Sequence, residues 1–388
     1  MYCCSPPFLF MHSSTNSTRS VVGKSLLCCS SAKADPADAS VVISNTLYTM
    51  CIKVSSVILI ALASSGTARR VPVLPLVRSR CTRMVAMVLA WIAGAVPAFA
   101  DDANFRRIAA GVYVAIAPNE APSPDNRGFV SNLGFVVGHS GVVAIGTGAN
   151  ENAGRLMLAS IRRVTRKPVV LAINLQATPD HVLGNASFTR RGIPILAHRE
   201  TDRFMLYNCP NCIRNARSAI GSRRMGKAAI ARPTRIVDSS VVESAGGVDI
   251  EIRHDGHTFQ PGSLVVVDRR SGVVFAGEAV SVDRIPDVRN ADIENWRAAL
   301  ERLAALPEGL VVPAHGAVSA PSEAARLASY LTDLARKVGD VYDQGVAMQD
   351  AAREAALPDY EGWHLYSTMH ASNIHFTFLK AEARDLAR

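Results

Sequence analysis

A chain of 388 residues, 48% of them hydrophobic, is long enough for two or three domains and apolar enough to bury a core, which excludes a disordered chain. Its formal charge of +9 is unevenly placed: nine of the 42 basic residues but only two of the 33 acidic ones fall in the first hundred positions, so residues 101–388 carry only +2. The charge therefore gives no ground for a nucleic-acid or anionic-membrane partner.

Residues 1–77 are rich in Ser, Cys and Val without a sustained period, and the apolar run Val57–Ala63 is shorter than a membrane span. They read as a non-native or disordered leader, with translation starting near Val77 or Met84. N-terminal sequencing of the secreted protein checks this; a mature end before residue 77 refutes it. Residues 78–100 have the pattern of a signal peptide. Arg78, Arg80 and Arg83 precede a short apolar stretch that ends in Ala98-Phe99-Ala100, a small-x-small cleavage pattern, followed by Asp101-Asp102. The pattern predicts a periplasmic or secreted protein, cleaved near Ala100 and without a stable membrane span.

Further along, Gly111–Ala117, Gly128–Val137 and Gly141–Ile145 read as strands, and Asn152–Val164 as a helix stopped by Lys167-Pro168. Val169–Ile173 is a buried strand, and the loop 174–185 leaves its C-terminal end. Six of the eight cysteines lie before residue 101, leaving Cys209 and Cys212 in Cys-Pro-Asn-Cys. In an exported chain this pair reads as a local disulfide; a redox-active pair is the sharper alternative, without a thioredoxin-like context to support it. Val248–Arg253, Ser263–Asp268 and Val273–Ala276 read as strands, Ile293–Leu306 as an amphipathic helix, and Leu310–Val312 as a short strand. Pro321 opens a helical tail, with strong periodicity over Ala324–Val341 and helix expected over Trp363–Ala383. These elements predict one large domain over 101–320 and a C-terminal helical extension over 321–388.

Five pieces sit at the ends of predicted strands: Gly141-Val-Val-Ala-Ile-Gly-Thr-Gly148, Asp180-His181-x-x-Gly184, Gly256-His-Thr-Phe-Gln-Pro-Gly-Ser-Leu264, Val274-Phe-Ala-Gly-Glu278 and Val312-Pro-Ala-His-Gly316. Their order and spacing resemble the metallo-β-lactamase superfamily. Asp180-His-Val-Leu-Gly-Asn185, Asp283-Arg-Ile-Pro286, Trp296, Trp363 and His370-x-x-Asn373 more narrowly resemble the quinoprotein relay system zinc metallohydrolases. The resemblance implies an α/β fold, a four-layer αββα metallo-β-lactamase-like sandwich with a C-terminal helical extension. It also implies an exported hydrolase of an undefined small molecule, linked to a periplasmic quinoprotein dehydrogenase system.

Such a family holds two zinc ions, and the chemistry they supply is water activation against an ester, amide or thioester carbonyl. Carried onto this chain, the family's first metal loses most of its ligands. Gln176 and Thr178 stand where two His are expected, and neither is a good zinc ligand beside imidazole. Read without a gap, the third His position is Phe259; with a two-residue insertion it is His257. Gly146 replaces the Asp that braces the metal loop. At the second metal Asp180, His181 and His315 remain, and Glu278 keeps a carboxylate at the bridging position. Asp180, His181, His315, Glu278 and, on the insertion reading, His257 are thus the candidate metal ligands, and Asp180 and Glu278 the candidate catalytic groups. One zinc ion is expected, with iron or no ion as alternatives. His198 reads as a helix cap and His254 as a surface residue; His370 and Asn373, sharing a helix face by their spacing, read as tail-docking contacts.

Three functions follow: a hydrolase with a reduced, mononuclear site; a catalytically inactive periplasmic binding or accessory protein on the same fold; and a thiol-redox protein using Cys209 and Cys212.

Overall fold

Strand β1 (Arg106–Ala109), β2 (Val112–Ala115), β3 (Leu133–Val137) and β4 (Val142–Ile145) make an antiparallel meander in the computed structural model, which describes residues 104–225 and 229–387. The leader, signal-peptide and cleavage-site expectations lie outside the described residues. Helix α1 (Glu151–Val164) follows, its first turn capped by the Asn150 side chain, which accepts from Ala153 N at 2.9 Å. Then β5 (Val169–Ile173) runs parallel to β4. The short helices α2 (Pro179–Val182) and α3 (Asn185–Thr189) lead to β6 (Ile195–His198). Helix α4 (Arg199–Ile220) and the single turn α5 (Ser222–Met225) precede β7 (Arg235–Val237), and β6 and β7 extend the parallel half of this seven-stranded sheet.

The second sheet has five strands. β8 (Val241–Ala245), β9 (Val248–Arg253), β10 (Val265–Asp268) and β11 (Val274–Ser281) pair antiparallel in sequence order. After α6 (Ile293–Ala304) the chain adds β12 (Val311–His315), parallel to β11. Alternation along each strand sorts side chains between two faces. In β4, Val143 and Ile145 point into the layer between the sheets, and Val142 and Ala144 into the layer under α1. In β11, Phe275 joins the inter-sheet core while Val274 and Ala276 face α6. Two sheets face one another between helical layers, as the resemblance implied.

The tail is a 3-10 turn (Pro321–Glu323), α7 (Ala324–Asp343), α8 (Met348–Glu354) and α9 (Ala371–Leu386). Leu327, Tyr330, Leu331 and Leu334 of α7 share one apolar core with Trp296 and Leu300 of α6. Asn373 is buried; it donates to Pro286 O at 2.8 Å and to the Tyr330 hydroxyl at 2.9 Å, and accepts from Val288 N at 3.2 Å. His370 Nδ1 lies 3.1 Å from the same hydroxyl, so the pair does dock the tail, onto the loop that follows β11.

Several boundaries move. β3 begins at Leu133 rather than Gly128, because Arg127 and Gly128 both take positive φ in a turn. The helix expected from Trp363 starts as a π-helical turn, Tyr366–His370, after Leu365 at φ 63°. The helix that His198 caps runs as α4 to Ile220: its buried residues Met205, Cys209, Cys212, Ala216 and Ile220 recur at helical spacing, but Pro210 inside it is a breaker signal. No helix among the described residues is long and apolar enough to cross a membrane.

Candidate metal centre

The loop 174–185 is fixed by its own polar ends. Asn174 and Asn185, both fully buried, exchange side-chain bonds: Asn185 Nδ2 donates to Asn174 Oδ1 at 2.8 Å, and Asn174 Nδ2 to Asn185 Oδ1 at 3.1 Å. The Thr147 hydroxyl lies 2.8 Å from Asn185 Oδ1 and 3.0 Å from His181 O, and Thr147 N donates to His181 O at 2.9 Å. Gly184 is required by close approach, since a Cβ there would stand 1.9 Å from Thr147 O. The Gly-Thr-Gly and Asp-His-x-x-Gly pieces are thus two halves of one backbone contact.

Glu278 reaches the site through an irregularity in β11. The β11–β12 register shifts between Phe275 and Gly277 and again between Gly277 and Ser281, with Gly277 at φ 53°. A bulge of this kind re-aims side chains, and the glycine permits the conformation. His315 ends β12. Its Nδ1 lies 2.6 Å from Val130 O and its Nε2 lies 2.9 Å from Glu278 Oε1.

Asp180, Glu278 and His315 come together: one ligand atom from each lies within 4.8 Å of the others. His181 falls outside that group. Its ring lies over Gly146, where an added Cβ would stand 2.7 Å from Nε2. With no side chain, Gly146 leaves room for the imidazole. Among the described residues, buried His181 Nδ1 and Gln176 Nε2 meet no hydrogen-bond partner.

Two expectations for the 256–264 turn are corrected. His257 is exposed, with Nε2 2.6 Å from Asn290 O, and takes no part in the cluster. Phe259 turns the other way, packing edge-on against Trp296 at 5.6 Å between ring centres. From this turn Gln260 and Leu264 reach the loop: Gln260 Oε1 accepts from Ala177 N at 3.2 Å, and Leu264 N donates to Leu175 O at 2.8 Å. The expected disulfide is also absent: Cys209 and Cys212 are two buried thiols within α4, because the chain there is continuous helix and holds them a turn apart. His198 caps α4 as expected, Nδ1 accepting from Glu200 N at 3.1 Å, and it stacks at 3.9 Å on His254, which is half-buried rather than fully exposed.

Arg284 belongs to the segment Asp283–Pro286, which no local pattern ties to the site. It is buried, donates to Glu120 O at 2.8 Å and lowers the Glu278 carboxyl by its charge. No period or spacing signals this, because Glu120 is distant in sequence.

The electrostatics divide the two carboxyls. Burial, and then Glu278, raise Asp180 above its ordinary range, with His315 and Thr178 acting against them. Burial also raises Glu278, but the charge and hydrogen bond of His315, with the charge of Arg284, outweigh it and bring the carboxyl below its ordinary range. Burial pushes His181 down to about 4, so this ring is neutral at pH 7.

This donor set fits one divalent cation. Two carboxylates supply opposing charge. His315 Nδ1 carries its hydrogen toward Val130 O, as ligating histidines commonly do with a carbonyl. Nε2 then faces a Glu278 oxygen at 2.9 Å, a contact that requires a proton or a cation between the two atoms. The first seat does not fit, since Gln176 and Thr178 offer only neutral oxygen and amide groups.

Residues 126–315 match the family model described as "Metallo-beta-lactamase superfamily". Among solved structures, a metallo-beta-lactamase from Pontibacter korlensis is 20% identical with a TM-score of 0.48, covering 59% of this chain and 98% of its own. A metallo-beta-lactamase from Hirschia baltica is 18% identical with a TM-score of 0.47, covering 59% of this chain and 97% of its own. Matched over residues 126–315 and built as two facing sheets between helical layers, the chain has the fold of the metallo-beta-lactamase superfamily.

Proposed function

We propose that this protein is an exported, mononuclear metal hydrolase acting on an ester, thioester or amide. The observation that carries the proposal is the convergence of Asp180, Glu278 and His315. A zinc or iron ion held there would supply the Lewis acidity that polarises a carbonyl and acidifies water. Glu278, held ionised, anchors the seat, and Val130 O fixes the His315 ring with Nε2 inward. Asp180 keeps a proton more readily than an ordinary carboxyl, so an ion held there would compete with protons for the seat. Export rests on the signal-peptide pattern of residues 78–100, and the link to periplasmic quinoprotein dehydrogenases on the motif resemblance alone.

Metal analysis of the purified protein tests this. About one equivalent of zinc or iron is expected, falling below roughly a tenth in His315→Ala; the same low content in the unaltered protein overturns the reading. A second reading, an inactive binding protein, is favoured by Gln176 and Thr178 and by a His315–Glu278 pair that a proton alone could close. Hydrolysis of an activated ester that is abolished by Asp180→Asn counts against it.

A further inference from the structure

We propose that Cys209 and Cys212 form a reversible disulfide whose closure loosens the loop carrying Asp180. Both thiols are fully buried on one stripe of α4, with Met205, Ala216 and Ile220. That stripe packs in a single apolar cluster with Ala177, Val182 and Leu183, which flank Thr178–His181. Any change of shape in this turn of α4 is therefore delivered to the candidate metal loop.

Helix geometry makes the bond possible and costly at once. Residues three apart in an α-helix have Cα atoms roughly 5 Å apart, inside the range of about 4.4–6.8 Å that disulfides accept. Their Cβ atoms, however, stand about 5–6 Å apart, whereas a disulfide needs about 3.5–4.5 Å. Closure must draw the two side chains together by roughly 1–2 Å. The turn can yield, because Pro210 lies between the cysteines inside the helix and has no N–H for the carbonyl four residues back. The contact of Cys212 Sγ with Asn208 O, 3.6 Å, is given up on closure. A bond strained in this way is easily reduced, which suits a reversible switch and not a permanent staple.

The oxidant is a small-molecule disulfide. As the turn opens, one cysteine thiolate attacks a sulfur of the reagent, giving a mixed disulfide and releasing one thiol. The second cysteine thiolate then displaces the other thiol. Two electrons pass from the cysteine pair to the reagent, and the two cysteine protons end on the two released thiols.

The test incubates the full chain across a series of reduced-to-oxidised glutathione ratios. Tryptic mapping then reads the peptide 204–214, which contains both cysteines. In oxidising buffer this peptide is expected to lose two hydrogens, and to regain them in reducing buffer. Hydrogen exchange over residues 174–185 is expected to rise at least threefold on oxidation, and zinc affinity to fall at least tenfold. Cys209→Ser and Cys212→Ala each abolish all three responses. No bridged peptide in the most oxidising buffer, or a bridge that leaves exchange over 174–185 unchanged, overturns the proposal. The zinc readout alone rests on the metal reading: if neither redox form holds zinc, that reading fails, while exchange still decides this one.

Discussion

Gly184→Ala should destabilise the protein by about 3–5 kcal/mol, taking the steric and hydrogen-bond costs together. The backbone at Gly184 has φ −80° and ψ −8°, which alanine adopts without strain, so the cost is purely steric. The new Cβ would meet Thr147 O at 1.9 Å and Thr147 C at 2.7 Å, both backbone atoms. Carbon and carbonyl oxygen approach one another to about 3.3 Å, so the two segments must part by roughly 1.4 Å. Overpacking of this kind costs about 1–3 kcal/mol. Parting also breaks Gly184 N to Gly148 O at 2.8 Å and Thr147 N to His181 O at 2.9 Å, each worth about 1 kcal/mol. For a domain of this size that is a fall in Tm on the order of 10 °C. Equilibrium urea unfolding followed by tryptophan fluorescence measures it, with Gly339→Ala as control. Gly339 lies inside α7 with nothing within 4 Å of an added Cβ, and there alanine should stabilise by about 0.5–1 kcal/mol. A loss below about 1 kcal/mol for Gly184→Ala would refute the claim that the two motifs meet backbone to backbone.

Three further outcomes are expected. His315→Ala leaves Val130 O and the Glu278 carboxylate buried without their partner, and should cost about 1–3 kcal/mol in the metal-free protein, read by the same unfolding assay. His181→Ala should keep zinc affinity within about threefold, because His181 lies outside the three-residue group; loss of the metal by titration calorimetry would place the imidazole among the ligands. Burial holds His370 below the ordinary histidine range, so it is neutral in the folded tail and protonated in the unfolded chain at low pH. Its share of stability is present above the unfolded value of about 6.5 and is lost as pH falls below it. Thermal unfolding between pH 7 and 5 should show a shallower pH slope in His370→Gln, and an unchanged slope would refute the assignment.

Much of the fold was legible because burial writes itself into the pattern: Val169–Ile173 is a continuous apolar run and Val248–Arg253 alternates apolar with charged residues along one buried face, and both are strands over the residues their patterns marked. The motifs at strand ends were legible for a related reason. Turns and close approaches demand particular residues, and Asp180-His-x-x-Gly184 keeps its glycine because Thr147 O leaves no room for a side chain. Patterns fail where a breaker residue sits inside a helix, as Pro210 does in α4, and where a single residue chooses a direction. Phe259 and Gln260 are neighbours, yet one turns to Trp296 and the other to Ala177.

From the residues alone came most strands and helices and the loops that would carry chemistry, and from their resemblance to a family the two-sheet fold. Ligand identity within those loops belonged to the tertiary structure. A bulge at Gly277 turned Glu278 inward beside His315, and the space over Gly146 drew the His181 ring aside. Each of these is a contact between segments remote in sequence, set by packing and by backbone register, and neither has a local period or spacing to announce it.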